Sequence, residues 1–230
     1  ELYNRYSYET KLKDKLPIKI SIDNMYIAID KDNLKNLDLP NKLVSLGLDS
    51  ELTLPTLSKD IYLRLGLNPS FYADSYDFSP SDFRIPLRAY FIHLLSQKLK
   101  LIYGFAVYPD FDKEVFPIGG VIYEPNSKIS FELIPSRPNI TYNLTQNLSL
   151  LLEAGLSNYE FEVERQKREG VVLSYREMRL AGGIKFKLNK WENFLSVGDI
   201  FRRRFEYRDS QEKLKIKDTF YIEYRTKFSF

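Results

Sequence analysis

Hydrophobic side chains recur at every second position through most of this chain. Val44, Leu46, Leu48, Ser50, Leu52 and Leu54 alternate with Ser45, Gly47, Asp49, Glu51 and Thr53. Beyond the turn TLSKD, Ile61, Leu63, Leu65, Leu67, Pro69 and Phe71 alternate with Tyr62, Arg64, Gly66, Asn68, Ser70 and Tyr72. Phe83, Ile85, Leu87, Ala89 and Phe91 continue the pattern, as do Leu99, Leu101, Tyr103, Phe105 and Val107, then Met178, Leu180, Ile184, Phe186 and Leu188. The last segment sets Phe220, Ile222, Tyr224, Thr226, Phe228 and Phe230 against Tyr221, Glu223, Arg225, Lys227 and Ser229. A strand sends successive side chains to opposite faces, whereas a helix repeats every 3.6 residues, so this period predicts an all-β chain. Each strand has one greasy face and one charged face.

A soluble β-sandwich also alternates, with its apolar face turned to a core. Three features favour a membrane barrel instead. Many of the predicted strands approach ten residues, the roughly 9–11 that a tilted strand needs to cross a bilayer. Short turns (LSKD, SQK, PNSK, TQN, NKWE) alternate with longer polar loops (KDNLKNLDLP, ADSYDFSPSD, ERQKREG, RDSQEKLKIK), the asymmetry of outer-membrane barrels. The final strand ends on an aromatic residue, Phe230, with Phe228, Tyr224 and Ile222 on the same face, which resembles the signal read by the outer-membrane barrel assembly machinery. The expected fold is a closed antiparallel transmembrane β-barrel, residues 1–230 as one domain, with short periplasmic turns and longer extracellular loops.

Thirteen candidate strands begin near residues 2, 16, 41, 60, 83, 98, 114, 128, 138, 147, 171, 192 and 218. Single-chain bacterial barrels have an even number. With the last strand ending in the periplasm, residues 1–12 must run inward from outside. Either that segment is not a wall strand and about twelve strands remain, or a strand precedes Glu1 and there are about fourteen; twelve is the expectation. Tyr26, Tyr72, Tyr108, Tyr142, Tyr207 and Phe230 are candidates for the interfacial aromatic girdles.

Composition agrees with strands and narrows the chemistry. Aromatic residues make up 15% of the 230 residues, with 17 Tyr and 16 Phe, a high load for a mixed soluble domain. No stretch approaches the roughly 18 apolar residues of a membrane helix. The net charge of +3 comes from interspersed basic and acidic residues, so nucleic acid is not an expected partner. Without cysteine there is neither a disulfide nor a thiolate metal site. The first residue is Glu, so the expectation is a removed leader or a trimmed chain.

The charged face defines a candidate lumen lining: Arg64, Arg84, Arg88, Glu132, Glu153, Glu177, Arg179, Lys185, Lys187, Glu223, Arg225 and Lys227. These side chains either line a narrow polar channel or neutralise one another as a packed plug. Mixed signs on neighbouring strands favour pairing, because an unpaired buried charge is costly. An open channel with this basic excess would prefer anions. A lipid-modifying enzyme would need a nucleophile beside a base. The single His, His93, and Ser96 are three residues apart along a strand and so fall on opposite faces. No catalytic residue, metal site or cofactor is assigned. Loop carboxylates (Asp74, Asp77, Asp82; Asp110, Asp112, Glu114) are read as solvated, as an alternative to holding Ca²⁺ or bridging to lipopolysaccharide. The sequons at Asn139, Asn143 and Asn147 are read as coincidental, and the basic runs Arg202–Arg204 and Lys213–Lys217 as caps facing anionic headgroups.

Pro117, Gly120, Pro125, Asn126, Phe131, Pro135, Pro138, Tyr142 and Asn147, within Val115–Val163, lie in a pattern of a Pro-Asn turn, a short strand, a Pro-x-Pro-like corner and a Tyr-bearing strand. This resembles an uncharacterised family of bacterial outer-membrane barrels met in Bacteroidetes and other Gram-negative lineages. The resemblance implies fold and location and carries no activity. The expected role is an outer-membrane barrel acting as a structural subunit of an envelope complex or as a narrow passive pore. Expected partners are outer-membrane lipids, lipopolysaccharide, the assembly machinery and other envelope proteins. A lipid hydrolase and a soluble β-sandwich binding module are the alternatives.

Overall fold

The structure, a computed structural model, describes residues 2–12, 16–29, 39–109, 114–135, 137–165, 168–210 and 213–229. Its strands are β1 (Leu2–Leu12), β2 (Leu16–Ala28), β3 (Lys42–Pro55), β4 (Ile61–Leu67), β5 (Ser70–Ala73), β6 (Phe83–Arg84), β7 (Leu87–Leu94) and β8 (Leu99–Val107). They continue as β9 (Val115–Tyr123), β10 (Ile129–Leu133), β11 (Asn139–Asn143), β12 (Leu148–Arg165), β13 (Arg168–Leu188), β14 (Trp191–Tyr207), β15 (Lys213–Lys215) and β16 (Thr219–Ser229). The one helical segment among the described residues is a 3-10 turn at Pro80–Asp82.

Thirteen of these strands close into a ring in the order β1, β2, β3, β4, β7, β8, β9, β10, β11, β12, β13, β14, β16. The ring strands start within a few residues of the thirteen positions picked out by alternation, and residues 2–12 are a wall strand. The count therefore falls between the twelve and fourteen expected. Strand directions alternate along consecutive hairpins, so an odd ring must leave one neighbouring pair parallel. That pair is β1 and β16, joined over only four positions from Tyr6 opposite Thr226 to Glu9 opposite Ser229. This seam removes the free sheet edges that β1 and β16 would otherwise present.

Every ring strand turns at least one large hydrophobic side chain outward. Ile20 and Ile22 on β2, Leu46 and Leu48 on β3, Leu150, Leu152 and Leu156 on β12, and Phe220, Ile222 and Tyr224 on β16 are all exposed. A soluble monomer rarely exposes more than a few hundred Å² of contiguous apolar surface. Here the apolar surface encircles the molecule.

Toward the loop end, the apolar side chains change face. On β2 the outward Ile20 and Ile22 give way to Met25 and Ile27, which are fully buried and of opposite parity. On β12 and β13 the outward even-numbered leucines give way to buried Phe161, Val163, Leu173 and Tyr175. On β14 the backbone makes the switch: one extra residue lies opposite Arg176–Met178, with Arg202 at φ 53°. This bulge takes the odd row from outward Leu195 and Val197 to inward Phe205 and Tyr207. These inward residues, with Leu39 and Leu43, form one hydrophobic core inside the loop end of the barrel.

That end is further closed by β5. It pairs with β3 on one edge and meets β12 at Ala73 opposite Glu162 on the other. It thereby bypasses the six strands that separate β3 from β12 in the ring. Tyr72 of β5 packs against the core, 5.9 Å from the Phe161 ring, and burial pushes its phenol well above the ordinary tyrosine range. Tyr72 and Tyr207 are thus core residues and not girdle residues. Their side chains share the face of the buried hydrophobics, which alternation in a single segment does not reveal.

Candidate functional site

Below the apolar core the lumen is lined by charges, and they meet in two networks. In the first, Arg5 on β1 forms a close ion pair with Asp23 on β2, through Nε and, at 2.8 Å, Nη2. Arg5 also lies 3.5 Å from Asp49 on β3. Arg88 on β7 makes a close pair with Asp49 and lies 3.3 Å from Glu51. Arg64 on β4 completes it, 4.0 Å from Glu51 and donating to the Thr53 hydroxyl at 3.0 Å. Three guanidiniums face three carboxylates.

In the second network Glu153 and Glu223 are nearly inaccessible. Arg137 donates through Nε and Nη2 to Glu153 at 3.2 and 3.0 Å, and through Nη2 to Glu223 at 3.0 Å. Arg225 donates to Glu153 at 2.8 Å and lies 3.2 Å from Glu223, with its guanidinium 5.0 Å from the Phe194 ring. In the wall, β13 and β14 separate Glu153 on β12 from Arg225 on β16, so this contact crosses the interior. Two cations balance two anions. Removing one partner of such a buried pair would strand the other, which is why the sets stay matched.

The remaining predicted lining residues have separate places. Arg179 forms a close pair with Glu177, which also accepts from the Tyr175 hydroxyl, and sits 5.2 Å from the Tyr221 ring. Glu132 accepts from Asn139 at 3.0 Å. Lys185 lies 5.8 Å from the Phe194 ring. Lys187 and Lys227 form ion pairs with Glu192 and Glu9, at 3.4 and 2.9 Å, toward the short-turn end. Arg84 is outside the ring altogether: among the described residues β6 pairs only with β5, and Arg84 reaches Glu162 at 3.5 Å beside the closed end. The excursion through Pro80–Asp82 carries it there, and alternation along Phe83–Phe91 hides that break. Arg5, Asp23, Asp49, Glu51 and Arg137 were missed as lining. The first four sit opposite the apolar rows of their strands; Arg137 lies in the β10–β11 loop and carries no strand signal.

Of the terminal residues, Ile222 and Tyr224 face outward and Phe228 packs on Trp191 at 4.6 Å, while Phe230 lies outside the described residues. His93 stands opposite Ile61 and Leu101 in the outward row of Phe91. Asp74 accepts from the Glu164 N–H and Asp82 from Ser79, so both are engaged locally; Asp110 and Asp112 lie outside the described residues. Among the described residues no three His, Asp or Glu side chains gather to hold a metal ion.

Between the second network and the core lies a cavity of about 170 Å³, lined by Tyr3, Arg137, Glu153, Tyr159, Arg179 and Tyr221 among others. No curated protein and no solved structure matches this chain. A family model does match, over residues 7–229, from the first wall strand to the last. The chain belongs to the family described as a domain of unknown function, DUF6268.

Proposed function

We propose that this protein is an outer-membrane barrel of a Gram-negative bacterium whose lumen is closed, serving as a non-enzymatic structural subunit of the envelope. The observation that carries the reading is the apolar belt: all thirteen ring strands present large hydrophobic side chains outward while charges fill the interior. In water this arrangement is inverted; in hydrocarbon it is the stable one. Two features support a closed lumen over a passive pore. Ion pairs cross the interior, and the apolar core with β5 fills the loop end.

The reading is tested with purified protein folded in detergent and reconstituted into planar bilayers. The expected outcome is a heat-modifiable band on a gel, a β spectrum only in detergent or lipid, and no conductance steps at any holding voltage. Regular conductance that shifts when Arg88 is neutralised would replace the scaffold with the pore. Monodisperse β-structure in plain buffer would overturn the membrane location.

A further inference from the structure

The wall has a notch. β10 and β11 are five residues each, whereas their flanking strands are nine and eighteen. β11 pairs with β12 only over Ser149–Glu153, and β10 pairs with β9 only over Val121–Tyr123. Above that short hairpin the Ala154 N–H still finds the Pro138 carbonyl at 2.9 Å. Among the described residues no strand then pairs with this edge of β12 until Glu162 meets Ala73, and over Val115–Gly120 β9 pairs with β8 alone, its other edge having no strand beside it. Two strand edges are therefore left without a strand partner, and the β10–β11 loop spans the gap between them, with Ile134 beside Gly120 of β9 and Pro138 hydrogen-bonded to Ala154 of β12.

The height of the gap follows from the side chains beside it. Leu133, Leu152, Leu156 and Val115 are all exposed at its rim, and the switch to inward hydrophobics on β12 begins only at Phe161. The gap thus lies within the apolar belt. Open strand edges are tolerated at membrane depth only where they border polar space.

That polar space is the 170 Å³ cavity. It is lined by Gly155, Ser157 and Tyr159 and also by Ala154 and Leu156, residues of both faces along the stretch of β12 that has no strand on this edge. The charged groups lining it are unequally accessible. Glu153, Glu223 and Arg179 are 5%, 6% and 16% exposed, whereas Arg137 is 41% exposed. The Arg137 bonds to Glu153 and Glu223 use Nε and Nη2, leaving the two N–H donors of Nη1 without an acceptor in the described structure. A drug-sized ligand needs roughly 300–1,000 Å³. This cavity holds a head group, and a chain must stay outside in the belt.

We infer that the cavity binds the anionic head, carboxylate or phosphate, of a single-chain amphiphile that enters sideways from the bilayer between β9 and β12, with Arg137 as its ligand. The inference rests on the membrane reading above. Nη1 and the Tyr221 phenol face the head, and Leu133, Leu152 and Leu156 face the chain.

The test places a tryptophan at the rim, Leu133→Trp in a Trp191→Phe background, in nanodiscs of ordinary phospholipid. Bromine-labelled stearic acid, lysophosphatidic acid and monoacylglycerol are titrated in turn. The expected result is saturable quenching by the fatty acid, the lysophosphatidic acid or both, above the linear partitioning seen with neutral monoacylglycerol; whichever of the two quenches identifies the head. Arg137→Gln should weaken it about tenfold or more, the loss of a charged hydrogen bond. Ser157→Phe, which leaves every ion pair in place, should abolish it by filling the cavity. Equal quenching by all three amphiphiles, or saturable quenching that survives Ser157→Phe, would overturn the inference. Native Trp191 is the control: quenching there by brominated phospholipid with none in excess at position 133 sinks this site alone, and no quenching at Trp191 sinks the membrane reading with it.

Discussion

The same four strands are built in opposite senses at their two ends. In the middle of the barrel, β2, β12, β13 and β14 send isoleucine, leucine and valine outward and charged or small side chains inward; toward the loops they send Met25, Phe161, Tyr175 and Phe205 inward. On β14 the outward positions there are polar, Arg204 and Glu206. Hydrophobic side chains leave water by whichever route is open, into lipid where there is lipid and into a core where there is none. On the proposed membrane reading, the change of face marks the outer boundary of the apolar belt. It falls between Ile22 and Met25 on β2 and between Leu156 and Phe161 on β12.

Substitutions on either side of that boundary should fail for different reasons. Glu153→Ala, which leaves Arg137 and Arg225 with Glu223 as their one carboxylate, should destabilise the folded barrel by about 3–5 kcal/mol, measured by urea titration in lipid. Phe161→Ala should cost about the same, about 3–5 kcal/mol, by leaving a hole in the loop-end core. Its effect should be local: protease should clip the loop end first while the barrel stays heat-modifiable. Leu152→Arg, outward and inside the belt, should cost about 2–4 kcal/mol in lipid, depending on its depth. Arg204→Leu, outward and beyond the boundary, should change stability by less than about 0.5 kcal/mol. Equal effects at positions 152 and 204 would erase the distinction between the two regions.

Much of this was legible in the sequence because strand alternation is a local signal. Strand starts, turn lengths and the outward row of Leu180, Ile184 and Leu188 all follow from residues that are neighbours in the chain. The change of face is also written there, in β2 as a shift from Ile20 and Ile22 to Met25 and Ile27, but a count of apolar positions does not see a change of phase. Other features are non-local. A single bridge, Ala73 opposite Glu162, carries β5 across the loop end, and nothing near either residue announces it. Arg137 finds Glu223 86 positions away, from a loop whose two prolines read only as a corner. The parallel β1–β16 seam needed an exact strand count, which only the closed ring supplies.

The most direct test of the boundary uses the chain's lack of cysteine. Single cysteines introduced from Leu148 to Val163 on β12 would be spin-labelled in lipid and read for accessibility to oxygen and to a water-soluble nickel complex. The predicted result is a two-residue alternation in which positions 148, 150, 152 and 156 favour oxygen. Position 158 should favour nickel, and 160, 161 and 163, all buried, should be shielded from both. Even-numbered positions that all favour nickel, from 148 to 162, would contradict a membrane-spanning wall.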